Sequence, residues 1–513
     1  MQWMIETPAD LIMFNGNFVT LNPRRARDSA MALHDGRIAA VGTDNEILQY
    51  ANQKAPRIDL RGRTVTPGFC DAHIHLFLYG QQRMRDADLV GAQSIEELLE
   101  RLSVVAARSE GWIQGHGFDQ EKMSEKRFPK RKDLDRLSSK RPIIVSRICG
   151  HAVVVNSAAL ALLSSEEAAA GDADSGLYTE GTSDAFYRRI PEATEIEGEH
   201  AVEAAQKIAL QTGITSIQTL LDAPEQMGAY SRLRRKGKLL LRVMGTPPWS
   251  SIHALYQHGI NTGFGDQHLR FGALKLFSDG SLGARTAWMA EPFADDPLTR
   301  GIRIYEPEIL KQKCREAQQK GFQIAIHAIG DQALRETLDA IEFALNGESN
   351  QIHRHRVEHA SVCPPDCLER MAKHKIIAVL QPQFITSDTW TGERLGKVRR
   401  VWAYPFKQMI EAGVPVALSS DCPVERLDAF AAIAATVGRS PWSPEGGLTV
   451  EQAIHAYCMG SAYAGFAENW SGSLEAGKVA DFVVLSEDIT QLPPERITQV
   501  KAEQVWIDGK KAG

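Results

Sequence analysis

Eight short apolar runs, separated by amphipathic stretches, constrain this chain more than any other feature. They are FCDAHIHL (69–76), ITSIQTL (214–220), LRVMG (241–245), FGALKLFSDG (271–280), FQIAIHAIGD (322–331), HRVEHA (355–360), IIAVLQPQ (376–383) and VPVALSSD (414–421). Near-continuous apolar runs of this length suit strands buried on both faces. Stretches such as EPEILKQKCREAQQK and QALRETLDAIEFALN supply intervening helices. Eightfold strand and helix alternation predicts an α/β fold on a (β/α)8 TIM barrel.

The ends of the chain have a different texture. Residues 1–66 and 471–513 read as short alternating strands with two-residue turn signals: Asn15-Gly16, Asp35-Gly36 and Asp508-Gly509. Asn-Gly and Asp-Gly favour hairpins because both central residues must take positive φ. Each end is too small to bury its own faces, so the two are expected to form one composite β-sandwich. The barrel then spans 67–470. Its first two strands are too far apart for one helix, so about 80–200 is expected to be an inserted α/β subdomain over the catalytic face.

Composition narrows the partners. Lys plus Arg number 58 against 64 Asp plus Glu, with no long basic run, which argues against nucleic acid or an anionic membrane and for a small-molecule substrate. Seven scattered cysteines suit a reduced setting, and no segment reads as a signal peptide or membrane span, so a cytoplasmic protein is expected.

The chemistry gathers at the strand ends. His73 and His75 are two apart, so on a strand both rings leave the same face and can share a metal. Following the other strands to their C-terminal ends adds Lys275, His327, His359 and Asp421. A lone His there is usually structural, whereas six ligand-type residues on one rim point to a divalent metal centre. Asp421, touching both metal and water, has the chemistry of a general base and acid. Asp331 reads as a helix cap. His151, Asn156 and Arg285 are candidate substrate contacts. His151 is equally open to packing, and Arg285 to closing its loop by a salt bridge. His116, Asp119 and Glu180 stay undecided between substrate contact and turn or helix structure.

These residues resemble the amidohydrolase superfamily, within it the metal-dependent branch that includes the YtcJ-like proteins and the N-substituted formamide deformylases. The matching stretches are TPGFCDAHIH, GHAVVVNSAAL, LKLFSDGSLGARTA, IAIHAIGDQA, RVEHA, LSSDCPV and GSLEAGKVADFVVL. The resemblance implies that His73, His75 and Asp421 hold one metal and His327 and His359 a second. Lys275 then bridges them as a carbamate (N6-carboxylysine); its alternative is an ordinary lysine paired to Asp279 or Asp421 beside one metal. The implied reaction is hydrolysis of a non-peptide C–N bond, such as that of an N-substituted formamide or N-acyl compound, by metal-activated hydroxide with Asp421 as base and acid. Zinc is the expected metal, one or two per chain, with iron or manganese able to fill similar sites. An ester or lactone substrate, or a catalytically silent relative, are the alternatives. A homodimer is the expected assembly.

Overall fold

A computed structural model describes residues 9–49, 55–346, 352–438 and 446–512. Each of the eight apolar runs contains a strand: β1 (Phe69–Ile74), β2 (Ile214–Leu220), β3 (Arg242–Thr246), β4 (Leu274–Phe277), β5 (Ile324–Ala328), β6 (Arg356–His359), β7 (Ile377–Leu380) and β8 (Val416–Leu418). They form a mixed α/β fold with two all-parallel arcs. β1, β2 and β3 pair in that order, with Leu269–Phe271 on the far edge of β3. β4 to β8 pair in chain order. Backbone hydrogen bonds cross both gaps between the arcs: Lys275 N donates to the Pro247 carbonyl, and Asp421 N to the His73 carbonyl, each at 2.9 Å.

Helices cover the outside of the arcs because their apolar residues recur with helical period. Pro307–Gln319 buries Leu310, Cys314 and Ala317, and Asp331–Leu345 buries Leu334, Leu338, Ile341 and Leu345. Each fully buried Leu or Ile of this kind contributes roughly 1.5–3 kcal/mol, so the stripe rather than intrinsic propensity fixes which face turns inward. The second helix ends at Asn346, whose φ of 50° turns the chain out of the helix.

The two ends of the chain do combine. A six-stranded sheet interleaves 510–511, 502–507 and 482–485 with 64–67, 17–19 and 27–28, and a four-stranded sheet holds 37–42, 30–34, 11–14 and 57–59. Met13, Leu33 and Ile38 of the smaller sheet share a buried cluster with Phe18, Phe482 and Trp506 of the larger. Asp35-Gly36 and Asp508-Gly509 are two-residue hairpin turns with positive φ at all four residues. Asn15-Gly16 is not a hairpin. It is a corner, because 11–14 and 17–19 belong to different sheets. A Cβ on Gly16 would meet Leu60 Cδ1 at 2.6 Å and the Phe18 ring at 2.7 Å, so close packing rather than a positive φ explains that glycine.

Between β1 and β2 the insertion forms its own five-stranded sheet of 87–88, 113–118, 143–147, 152–155 and 177–179, with a separate core around Leu98, Leu102, Ile113, Val145 and Val154. The helix Glu195–Gln211 instead packs on Leu76–Arg85. There a Cβ on Gly80 would come within 2.1 Å of the Ala201 carbonyl oxygen, so only glycine permits the approach. No helix among the described residues is long and apolar enough to cross a membrane.

Candidate metal centre

All six rim residues of the sequence reading converge at the C-terminal ends of the parallel strands. His73 lies in β1, and His75 follows it as the residue that starts the helix Leu76–Arg85; their ring centroids are 5.8 Å apart. Asp421, three residues beyond β8, places Oδ1 3.3 Å from His73 Nε2 and 3.6 Å from His75 Nε2. One ligand atom from each of the three lies within 4.8 Å of the others, a spacing that fits a shared cation. The His359 ring sits 5.1 Å from that of His73, and the His327 ring 4.4 Å from that of His359.

The orientation of the rings is more informative than their proximity. His73 Nδ1 donates to Glu358, His359 Nδ1 donates to Gln381 Oε1 at 2.7 Å, and His327 Nε2 donates to the Gly280 carbonyl at 3.0 Å. His327 and His359 therefore each have one N–H tied to the protein and keep the other nitrogen as a lone pair, the tautomer a metal requires, while the Nε2 of His73, whose Nδ1 is tied to Glu358, faces Asp421. Gln381 is itself oriented, its amide donating to Ser419 Oγ at 2.9 Å and the Val379 carbonyl at 3.1 Å. Glu358 is held by Arg356, whose Nε reaches Oε1 at 2.5 Å and whose Nη2 reaches Oε2 at 2.9 Å. Arg356 in turn bonds Gln218 and the Ala72 carbonyl.

Electrostatics follow from burial. Burial pushes His359 down to about 3, and with the neighbouring cationic groups pulls His327 well below its ordinary value, so both rings are neutral near pH 7. Burial would raise Asp421, but His73 and His75 beside it hold it well below the usual carboxylate range. Lys275 is pulled down to about 8 by burial, with Glu358 and Asp421 opposing. Its Nζ is buried without a hydrogen-bond partner, 4.6 Å above the Phe277 ring. The alternative of an ordinary lysine paired to Asp279 or Asp421 is therefore not what the structure has: Lys275 is in no ion pair within 4.0 Å among the described residues. Asp279 is already engaged by the backbone N–H groups of Gly330 (2.8 Å), Trp288 (2.9 Å) and Ile329 (3.0 Å). A buried ammonium with no partner, among inward lone pairs and a carboxylate, is a donor set that fits a divalent metal once the lysine is deprotonated or carbamylated.

The insertion brings one candidate to the rim and keeps the others away. His151, at the tip between strands 143–147 and 152–155, places its ring 5.2 Å from that of His327 and bonds Glu180 Oε2 through Nδ1 at 2.8 Å. Asn156 is fully buried inside the insertion. Its carbonyl accepts from Ile143 N (2.9 Å) and Ala159 N (3.0 Å), and its amide donates to the carbonyls of Ser138 (2.7 Å) and Arg141 (2.8 Å). The substrate contact expected of Asn156 has no free donor or acceptor to make it; the side chain is a helix cap. Arg285 bonds Asp295 at 2.8 Å, the loop-closing arrangement. Asp331 opens its helix at the residue after the cap Gly330 and accepts from Ala290 N at 3.0 Å. Asp119 caps the N–H of Glu121 at 3.1 Å and bonds Arg147 at 3.3 Å. A cavity beside the ligands is lined by Arg147 and Cys149 of the insertion and by Ile329, Ser361, Phe384 and Glu425 of the strand-end loops.

Sequence reasoning missed Glu358, Arg356, Gln381, Gln218 and Asp222, whose Oδ1 lies 3.9 Å from His75 Nδ1. A signal existed for two of them: Arg356 and Glu358 are charged residues at i and i+2 in a strand that is otherwise buried, which calls for internal partners.

A family model described as "Amidohydrolase family" matches residues 57–511, and the chain belongs to that family. It is a metal-dependent hydrolase of the amidohydrolase class. The YtcJ protein of Bacillus subtilis (strain 168) is 30% identical over 97% of this chain and 98% of its own. The N-substituted formamide deformylase of Arthrobacter pascens is 27% identical over 98% of this chain and 97% of its own. A crystal structure of an uncharacterized metal-dependent hydrolase from Pyrococcus furiosus aligns with a TM-score of 0.78 at 32% identity, covering 94% of this chain and all of that one.

Proposed function

We propose that the protein hydrolyses the C–N bond of a small non-peptide amide, of the N-substituted formamide or N-acyl kind, on a closed (β/α)8 barrel flanked by a β-sandwich and covered by the insertion. The observation that carries this reading is the His73, His75 and Asp421 cluster beside the neutral imidazoles His327 and His359, each with one N–H tied to the protein, together with Lys275, buried without a hydrogen-bond partner. His73, His75 and Asp421 would hold one zinc, and His327 and His359 a second, with Lys275 bridging as a carbamate. Bound there, the metal supplies Lewis acidity to a water and to the substrate carbonyl oxygen.

The chain's own groups then handle the protons and the substrate. Asp421, an ionised carboxylate, takes a proton from the water at an Oδ atom and returns it to the leaving nitrogen. Glu358 fixes the His73 tautomer, and Gln381 that of His359. His151, held by Glu180, faces the substrate from the insertion. The adjoining cavity, with Ile329 and Phe384 on its wall, receives the nitrogen substituent. The name of the Arthrobacter pascens relative supports an amide over an ester, and seven unbonded thiols suit the cytoplasm.

The test is metal content by elemental analysis, on protein purified without added metal or chelator, together with a panel of matched N-formyl amines, N-acyl amines and esters. One or two zinc equivalents per chain with amide turnover support the reading. Faster turnover of the esters redirects it to the C–O bond, and neither metal nor turnover after zinc is added overturns it.

A further inference from the structure

A second cavity lies at the opposite ends of β1, β2 and β3 from the ligands. Cys70, Ser216, Gln218, Arg242, Arg270 and Trp470 line it. Its two arginines are not equivalent. Arg242 is neutralised: its Nε meets Asp481 at 2.5 Å, and its Nη2 bonds Asp481 at 2.9 Å and also Asp508. Arg270 packs over the Trp470 ring at 5.0 Å, yet its guanidinium is in no ion pair within 4.0 Å and no hydrogen bond among the described residues. The acidic residue whose field it feels, Glu468, is clamped in bidentate fashion by Arg354 at 2.5 and 2.9 Å.

We propose that this cavity is a binding site for a small planar oxyanion of the carboxylate or bicarbonate type, received by the Arg270 guanidinium. Arg270 is half-buried, and the protein withholds its own carboxylates from it while pairing the buried Arg242 twice, so an anion entering the cavity meets an uncommitted guanidinium. The planar fork of guanidinium donors matches a planar oxyanion, and the Trp470 ring backs the guanidinium on one side. Size selects the ligand. The cavity holds about 20 Å³, where one water needs roughly 10–15 Å³, so it has room for the one or two oxygens that a planar oxyanion turns toward the guanidinium. Ser216 and Gln218 supply polar wall. Gln218 also accepts from Arg356, so the anion would sit one residue from the chain of contacts that ends on His73.

Nitrate is the probe, because it has the shape of a carboxylate and is a weak metal ligand. Full-length protein is titrated with sodium nitrate at constant ionic strength, balanced with methanesulfonate, which is too bulky for the cavity. Wild type is expected to show a saturable rise in Tm of about 1–3 °C and to retain one nitrate per chain in equilibrium dialysis. Arg270→Met is expected to lose both. Arg270→Lys, which keeps the charge without the fork, binds more weakly and serves if the methionine variant does not fold. Equal nitrate responses in wild type and both variants, or no retained nitrate in wild type, overturn the proposal.

Discussion

The strand-end rim and the inserted subdomain both offered candidate site residues, and they differ in how those residues came to their places. On the rim, His73, Lys275, His327 and His359 lie within strands whose parallel pairing dictates where their ends fall, and all six candidates meet. In the insertion, His151 and Asn156 stand at the two ends of the short strand 152–155, yet only His151 reaches the ligands while Asn156 holds the subdomain together. A site residue on a regular scaffold is placed by period and pairing, whereas one on an insertion is placed by docking.

The comparison breaks first if the rim proves dispensable. Asp421→Asn removes the proton carrier while keeping the side chain's size, and kcat/KM is expected to fall by about 10²–10⁴-fold with an unchanged circular dichroism spectrum. A folded variant with near-full activity would falsify the assignment.

Behind the rim, Glu358→Gln replaces the carboxylate that orients His73. Metal affinity, measured by competition with a chelator, is expected to fall about 10–100-fold. Because Arg356 is left without its buried partner, Tm should fall as well. Unchanged affinity would mean that His73 needs no carboxylate to set its tautomer.

The smallest effect lies at the root of the insertion. Asp86 faces His116 across 3.7 Å, and burial pushes its carboxyl up to about 7 from an ordinary 3.8. Its folded pKa lies above the unfolded one, so the folded state holds the proton more tightly. Stability is therefore lost as pH rises from about 4 through 7. Asp86→Asn removes this penalty and is expected to be more stable than wild type by about 1–3 kcal/mol near pH 8, with the two converging below about pH 4. Urea melts at the two pH values measure it, and a constant difference between them would locate the effect in packing instead of ionisation. Activity per metal-loaded chain should not change, which separates the subdomain's stability from the rim's chemistry.

Much of this was legible in advance for a physical reason. All eight apolar runs became strands, since a segment apolar on both faces has few other places to go. Asp35-Gly36 and Asp508-Gly509 became hairpins because positive φ at two successive residues leaves the backbone little choice. Asn15-Gly16 shows the limit, because a dipeptide with the same turn preference passes the chain between sheets when the following strand, Asn17–Val19, finds its partners in Thr64–Pro67 and Arg27–Asp28.

The sequence by itself determined the strands, the ligand types and their position at strand ends, because periodicity and burial act over a few residues. Only the tertiary structure decided which nitrogen of each imidazole is tied to the protein, that Lys275 has no hydrogen-bond partner while Asp279 accepts from three backbone N–H groups, and that His151 rather than Asn156 reaches the rim. Those outcomes depend on Glu358, Gln381, Gly280 and Glu180 approaching from other elements. A hydrogen bond between residues distant in the chain has no local signature.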